Sequence, residues 1–180
     1  EAEISLDTSG APLHERGYRR ESGPAPLRET LAAGLLLLSD WRPGTPLLDP
    51  FCGSGTIVIE AALLAEGIPP SRSRERFAFL QWPDGDRKAF AKIRSSLMSQ
   101  ARGDDDAVIL GSDSNAEVIA MARRNAERAG VGSQADFQSR DFFAEDGAPT
   151  TGEVPGCIVT NPPYGERMDV GDAGAFYEKL

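Results

Sequence analysis

The segment Leu47-Leu48-Asp49-Pro50-Phe51-Cys52-Gly53-Ser54-Gly55-Thr56, "LLDPFCGSGT", carries the reading of the fold. Its start reads as the end of a short buried strand, and Thr56 opens an apolar stretch to Ala65 that reads as a helix. Between them, Gly53 and Gly55 let the backbone turn tightly and approach a ligand with no Cβ in the way. The helix that follows turns its unpaired N–H groups and positive end towards whatever sits there. Two familiar phosphate-binding loops do not fit. A P-loop needs Lys after the second glycine, where this chain has Thr56. A dinucleotide fingerprint wants a third small residue where Val58 stands and an acid about 20 residues on, whereas the next acid-ended strand finishes only at Asp113. From these residues alone a plain strand-to-helix turn remains the alternative.

Working outward, four apolar segments read as strands: Pro46–Phe51, Ala107–Asp113, Ala135–Asp141 and Gly156–Asn161. Helical patterns precede or separate them. Leu27–Ser39 is apolar all round and is expected to be a largely buried helix. Thr56–Ala65 follows the first strand at once, and Asn115–Ala129 is amphipathic with Gly130 suited to its C-terminal cap. Strand and helix in alternation imply parallel strands with right-handed crossovers. The expected fold class is α/β: a Rossmann-like sheet with helices on both faces, in one domain over residues 1–180. Residues 67–103 interrupt the rhythm as an insertion, with arginines, an aromatic group (Phe77, Phe79, Trp82) and a helix over 84–102, expected as a lid or a flank. Doubly wound sheets usually have more strands than four, so the sequence is expected to be part of a longer chain whose last strands lie beyond it.

Composition excludes several classes. Hydrophobic residues at 40% and charged residues at 26% are ordinary values for a soluble domain. The apolar run over Ala32–Leu38 is far short of the ~20 residues of a membrane span, so no membrane association is expected. Cys52, Cys157 and the single His14 make neither a disulfide framework nor a zinc site, so no metal is expected and a reducing cytoplasm is the simplest setting. The net charge of −9 argues against a surface that grips nucleic acid everywhere. Two arginine groups, one at Arg16, Arg19, Arg20 and Arg28 and one at Arg72, Arg74 and Arg76, read equally as local basic patches or as solvated faces.

In open α/β sheets ligands bind beyond the carboxyl ends of the strands, and those ends hold the unusual residues. Asp113 can accept ribose hydroxyls or cap the next helix. Asp141 can accept from an adenine amino group with Phe142 covering the ring, or simply serve a turn. The last strand runs into Asn161-Pro162-Pro163-Tyr164. There an Asn carbonyl and a proline-fixed backbone carbonyl can both accept from an exocyclic NH2, which aims the nitrogen lone pair at an electrophile. Tyr164 offers a stacking face worth ~1–3 kcal/mol in comparable systems.

Jointly these motifs resemble class I S-adenosylmethionine-dependent methyltransferases, with "DPFCGSGT" as the methionine-end loop and "NPPY" as the amino-group methylation motif. More narrowly, the chain resembles bacterial 23S ribosomal RNA guanine-N2 methyltransferases that carry an N-terminal THUMP domain. The matching stretches include "LDTSGAPLHERGYR" (6–19), "APLRETLAAGLL" (25–36), "RFAFLQW" (76–82), "GSDSNAEVI" (111–119) and "TNPPYGERM" (160–168). The resemblance implies S-adenosylmethionine as cofactor and S-adenosylhomocysteine as product. It implies that Asp49, Pro50, Cys52, Gly53, Ser54, Gly55 and Thr56 hold the methionine part, Asp113 and Ser114 the ribose, and Asp141 and Phe142 the adenine. Arg28 and Glu29 would close over the methionine end, and His14, Arg16 and Arg19 would face cofactor or RNA. Asn161, Pro162 and Tyr164 would hold an extruded guanine of 23S ribosomal RNA. The THUMP domain that captures RNA in this family is missing from the sequence, in keeping with the acidic balance. The NPPY motif alone is shared with adenine-N6, cytosine-N4 and glutamine methyltransferases, so an adenine-N6 enzyme and a non-catalytic RNA-binding module remain the rival expectations.

Overall fold

A computed structural model of the chain describes residues 2–21, 26–74, 76–100, 108–144 and 155–163. In order, it contains α1 (Glu29–Leu38), β1 (Leu47–Asp49), α2 (Thr56–Ala65), a 3-10 turn (Ala78–Gln81), α3 (Arg87–Ser99), β2 (Ile109–Asp113), α4 (Ala116–Ala129), β3 (Ala135–Ser139) and β4 (Cys157–Ile158). The four strands form one all-parallel sheet in the order β3-β2-β1-β4. Leu47 sits level with Ile109 on one side and Cys157 on the other, so all four strands point their carboxyl ends to one edge. The α/β expectation holds, and each expected strand contains the observed one.

Burial explains the elements better than propensity does. α2 begins with four β-branched residues, Thr56-Ile57-Val58-Ile59, which are indifferent helix formers. Yet every residue of α2 except Leu64 is buried, so tertiary packing holds it. α4 is amphipathic in the ordinary way: Ile119, Ala122, Ala126 and Ala129 are buried. Asn115 caps its start by accepting from the Glu117 and Val118 amides, and Gly130 ends it at φ 77°.

The crossovers β1–α2–β2 and β2–α4–β3 advance in one direction, so right-handedness puts α2 and α4 on the same face. β3 agrees, with Ala135 and Phe137 buried and Asp136 and Gln138 exposed. α1 packs against α2 in that same layer. Helices expected on the opposite face are outside the described residues.

One expectation needs adjustment. α1 is not largely buried: only Glu29, Ala32 and Leu36 are, while Leu31, Leu37 and Leu38 are 53%, 70% and 88% exposed. A run of four leucines covers the whole circumference of a helix, so the pattern could not say which side packs. The insertion leaves the sheet after α2, at the edge opposite the strand ends. There its 3-10 turn hydrogen-bonds the N-terminal segment (Ala78 N to Ser9 O, Phe79 N to Thr8 O, both 3.2 Å).

Candidate active site

The glycine loop is folded down over the end of β2. The Cys52 amide donates to the Ser112 carbonyl at 2.9 Å, and the Gly53 amide donates to Asp113 Oδ2 at 3.2 Å. Asp113 Oδ1 accepts from the Asn115 amide at 2.9 Å, so this carboxylate ties the loop to the start of α4. Each carboxylate oxygen carries two acceptor sites, which leaves capacity for ribose hydroxyls beside these bonds. Ser114 follows it as an exposed residue. Close packing beneath the loop demands glycine at 111, where a Cβ would come within 2.9 Å of Val58 and 3.0 Å of Cys52. Burial pushes the Cys52 thiol up, and the Asp49 and Asp113 carboxyls add to that.

Asp49 is only 2% exposed at the end of β1. Its Oδ1 accepts from the Phe51 amide at 3.3 Å and from Thr160 Oγ1 at 2.7 Å. Thr160 immediately precedes Asn161, so one buried carboxylate brackets the glycine loop and the Asn-Pro-Pro segment together. Backbone pairing continues there, with the Val159 amide donating to Leu48 O at 3.1 Å. Asn161, Pro162 and Pro163 are half-buried, and Tyr164 lies outside the described residues. Burial raises the Asp49 carboxyl to about 7, with Asp113 adding to the rise and the Thr160 and Phe51 donors opposing it.

A raised carboxyl has a definite sign in stability. The stability tied to Asp49 is full below its ordinary value of 3.8 and is lost as pH rises through about 7. Asp49→Asn keeps an acceptor for Thr160 but cannot ionise. Denaturant midpoints should therefore move in the variant's favour, by on the order of a few kcal/mol, as pH rises from ~4 to ~8. A difference independent of pH would show that Asp49 does not titrate in this range.

After β3, Asp141 Oδ1 accepts from the Phe143 amide at 2.9 Å, which makes it a turn residue at least in part. Phe142 packs on Phe51 of the loop with ring centroids 5.5 Å apart. The ends of β3 and β1 are thereby joined by aromatic contact across the strand-end edge.

Two of the N-terminal arginines pair with buried acids. Arg16 Nε donates to Glu60 Oε1 at 2.8 Å, and Tyr18 OH donates to the same oxygen at 2.9 Å. Arg19 Nη2 pairs with Glu29 at 3.0 Å, and Arg19 also donates to the Leu27 carbonyl. Both acids are buried, so these pairs fasten the N-terminal segment to α2 and α1. Arg28 is exposed ahead of α1, and His14 is half-buried with its carbonyl accepting from the Arg16 amide.

Three supporting residues were not singled out from sequence. Thr160 carried no signal. Glu60 did, as an acid in the middle of the apolar "TIVIEAALLA". Asn125 did too, as a polar residue on the buried face of α4. It is fully buried and donates to the Ser54 carbonyl at 3.3 Å, which pins the loop from the helix side.

The strand-end edge passes a chemical test for a nucleoside bearing an amino-acid tail. The Cβ that Gly53 lacks would face open space, with nothing within 4 Å, so the loop backbone is open to a ligand. α2, like α1, has no side-chain cap at its start, whereas α3 is capped by Asp86 and α4 by Asn115. Its first-turn amides suit a ligand carboxylate. Asp113 supplies the hydroxyl acceptor one strand away. Among the described residues no group of His, Cys, Asp or Glu is arranged to hold a metal ion, and no helix is long and apolar enough to cross a membrane.

A parallel sheet with a glycine loop after β1 and an acid at the end of β2 defines an α/β fold with its ligand edge at the strand ends. Over residues 16–180 the sequence matches UPF0020, the RMKL-like methyltransferase domain, and the chain belongs to that family. It is 36% identical to SMU.472, solved as a complex with S-adenosylhomocysteine, at a TM-score of 0.85 over 96% of this chain and 44% of that one. A protein of Listeria monocytogenes, named as a predicted N6-adenine-specific DNA methylase, is 40% identical at a TM-score of 0.81, covering 96% and 43% of the two chains. A protein of Clostridium difficile, named as a possible methylase, is 40% identical at 0.79, covering 94% and 43%. The chain thus spans under half the length of these solved structures.

Proposed function

We propose that this domain transfers a methyl group from S-adenosylmethionine to the exocyclic N2 of a guanine in 23S ribosomal RNA. The observation that carries the transfer reading is the Asp49 bracket, which joins the glycine loop and Asn161 through Thr160 at 2.7 Å. A cofactor loop and an amino-group motif held by one buried carboxylate suit a reaction between two bound molecules. S-adenosylmethionine, when bound, supplies an electrophilic methyl on a sulfonium. The methionine end falls to the loop from Asp49 to Thr56 and the amides of α2, the ribose to Asp113 and Ser114, and the adenine to the Asp141–Phe142 turn.

Asn161 and the carbonyl fixed by Pro162 accept the two hydrogens of the amino group and orient its lone pair, with Tyr164 as stacking partner. The amine sheds its proton during or after attack, so no prior general base is required. Positioning carries most of the rate, as expected where two reactants are held in line. The guanine is extruded from its stack to reach Asn161. The arginines at 16 and 19 enter this reading as fasteners of the N-terminal segment, while Arg28 and His14 keep the cofactor- and RNA-facing roles that the resemblance implies. The same resemblance assigns RNA capture to a THUMP domain in the remainder of the protein, and the sparse cysteines suit a cytoplasmic setting.

The likeness to the Listeria protein favours a second reading, methylation of adenine N6, which the same Asn-Pro-Pro geometry serves equally well. Nucleoside mass spectrometry of ribosomal RNA from a deletion strain separates them. The expected result is loss of one N2-methylguanine per 23S molecule. Loss of an N6-methyladenine with all N2-methylguanine retained would replace the first reading by the second.

A further inference from the structure

We propose that the groove between the 3-10 turn and α3, in the insertion at the far edge of the sheet, is a second contact site for a single-stranded segment of the RNA substrate. The inference rests on the nucleic-acid reading above and adds a site to it. The groove encloses about 750 Å3, and Phe77, Leu80 and Phe90 line it together with Arg76, Arg87 and Arg94. The phenylalanines are ordered as a cluster, with Phe77 and Phe79 meeting Phe90 edge-on at 5.3 and 5.7 Å. Two of the guanidiniums are held in place by backbone carbonyls: Arg87 Nε donates to Leu80 O at 3.2 Å and Arg94 Nη2 to Arg72 O at 2.7 Å. Each of those bonds takes one of the five N–H donors a guanidinium carries, fixing the head group without exhausting it.

Charge selects the occupant. From Arg72 to Arg94 the sequence has seven basic residues against three acidic ones, in a chain whose net charge is −9. Arginines beside half-buried aromatic rings match a phosphate backbone carrying flat bases, and single-strand sites combine these two features. α3 has no fully buried residue, so little of its surface is taken up by the core of the domain. The groove belongs to the insertion that follows α2, and α2 itself carries the chain about 15 Å away from the glycine loop before the insertion begins. RNA bound there is therefore a stretch several nucleotides from the target base, and its contribution falls on RNA binding and not on the chemical step.

The test uses the full-length protein and a fluorescein-labelled, mixed-sequence single-stranded RNA of about 12 nucleotides, a length within the range of known single-strand sites. Arg87→Glu with Arg94→Glu should weaken binding at least about tenfold and reduce the slope of log affinity against log salt by about 1.4, the share of two phosphates. Affinity for S-adenosylmethionine should be unchanged by calorimetry, and in methyl transfer KM for RNA should rise with kcat retained. Arg76→Glu, which breaks no carbonyl contact among those described, provides a variant without structural cost and should weaken RNA binding several-fold. RNA affinity within about twofold of wild type in both variants would overturn the proposal, since lost phosphate contacts must weaken binding. So would retained RNA binding with loss of a stoichiometric protein complex, which would assign the groove to a protein partner. If the wild type transfers no methyl but both variants lose RNA, the methyltransferase reading fails while the groove stands.

Discussion

Asn161→Ala is expected to lower methyl transfer by about a thousandfold, the upper range for removing one preorganised polar group from a reacting centre. Affinity for S-adenosylmethionine should stay close to wild type. Val159 is still paired to Leu48, Thr160 is anchored on Asp49, and Pro162 forces the preceding residue into extended geometry. Asn161 is therefore delivered at a fixed point past β4, half-buried at the strand-end edge. Truncating its amide leaves that backbone intact and removes an acceptor only from the incoming amino group. Single-turnover kinetics with saturating cofactor, paired with calorimetry, check both halves. A comparable loss of cofactor affinity would move Asn161 from the substrate side to the cofactor side.

Gly55→Ala should be the most damaging small substitution in the loop. Gly55 sits at φ 84°, where a side chain costs roughly 1–2 kcal/mol. The new Cβ would also lie 2.9 Å from the Phe137 ring and 3.0 Å from Ala122 Cβ. Phe137 is 1% exposed and Ala122 fully buried, so neither can withdraw into solvent. Overpacking of that kind costs typically 1–3 kcal/mol, for a total of about 2–5 kcal/mol. In a chain of this size that corresponds to a fall in Tm of roughly 5–20 °C. Gly53→Ala meets no atom within 4 Å and should cost only its backbone strain at φ 52°, so its larger effect should be on ligand binding. Equal melting temperatures for the two variants would show that the loop is not seated on Phe137 as described.

The sequence was most informative where local chemistry and global fold agree. Apolar runs ended by Asp49, Asp113 and Asn161 located the strands, because a strand buried on both faces has to be apolar along its length. α4 announced itself through a cap at each end. Other features depend on which neighbour arrives, and no local pattern encodes that. α1 is apolar all round yet packs through Ala32 and Leu36, because only one of its sides meets α2. The arginines at 16 and 19 were legible as a basic cluster, while their partners Glu60 and Glu29 lie 44 and 10 residues away. Thr160 joined the site through a bond spanning 111 residues, which a single sequence cannot reveal. The candidate roles of Asp113 and Asn161 were readable because strand ends in a parallel sheet converge on one edge whatever the intervening segments do.

The central claim is that the glycine loop and the Asn-Pro-Pro segment serve one transfer reaction. It is tested most directly by incubating the full-length protein with methyl-labelled S-adenosylmethionine and undermethylated 23S ribosomal RNA, then digesting the RNA to nucleosides for mass spectrometry. Label should appear in N2-methylguanosine with wild type and vanish with Asn161→Ala. Label confined to N6-methyladenosine would contradict the assigned base, and no label with cofactor demonstrably bound would contradict the reaction itself.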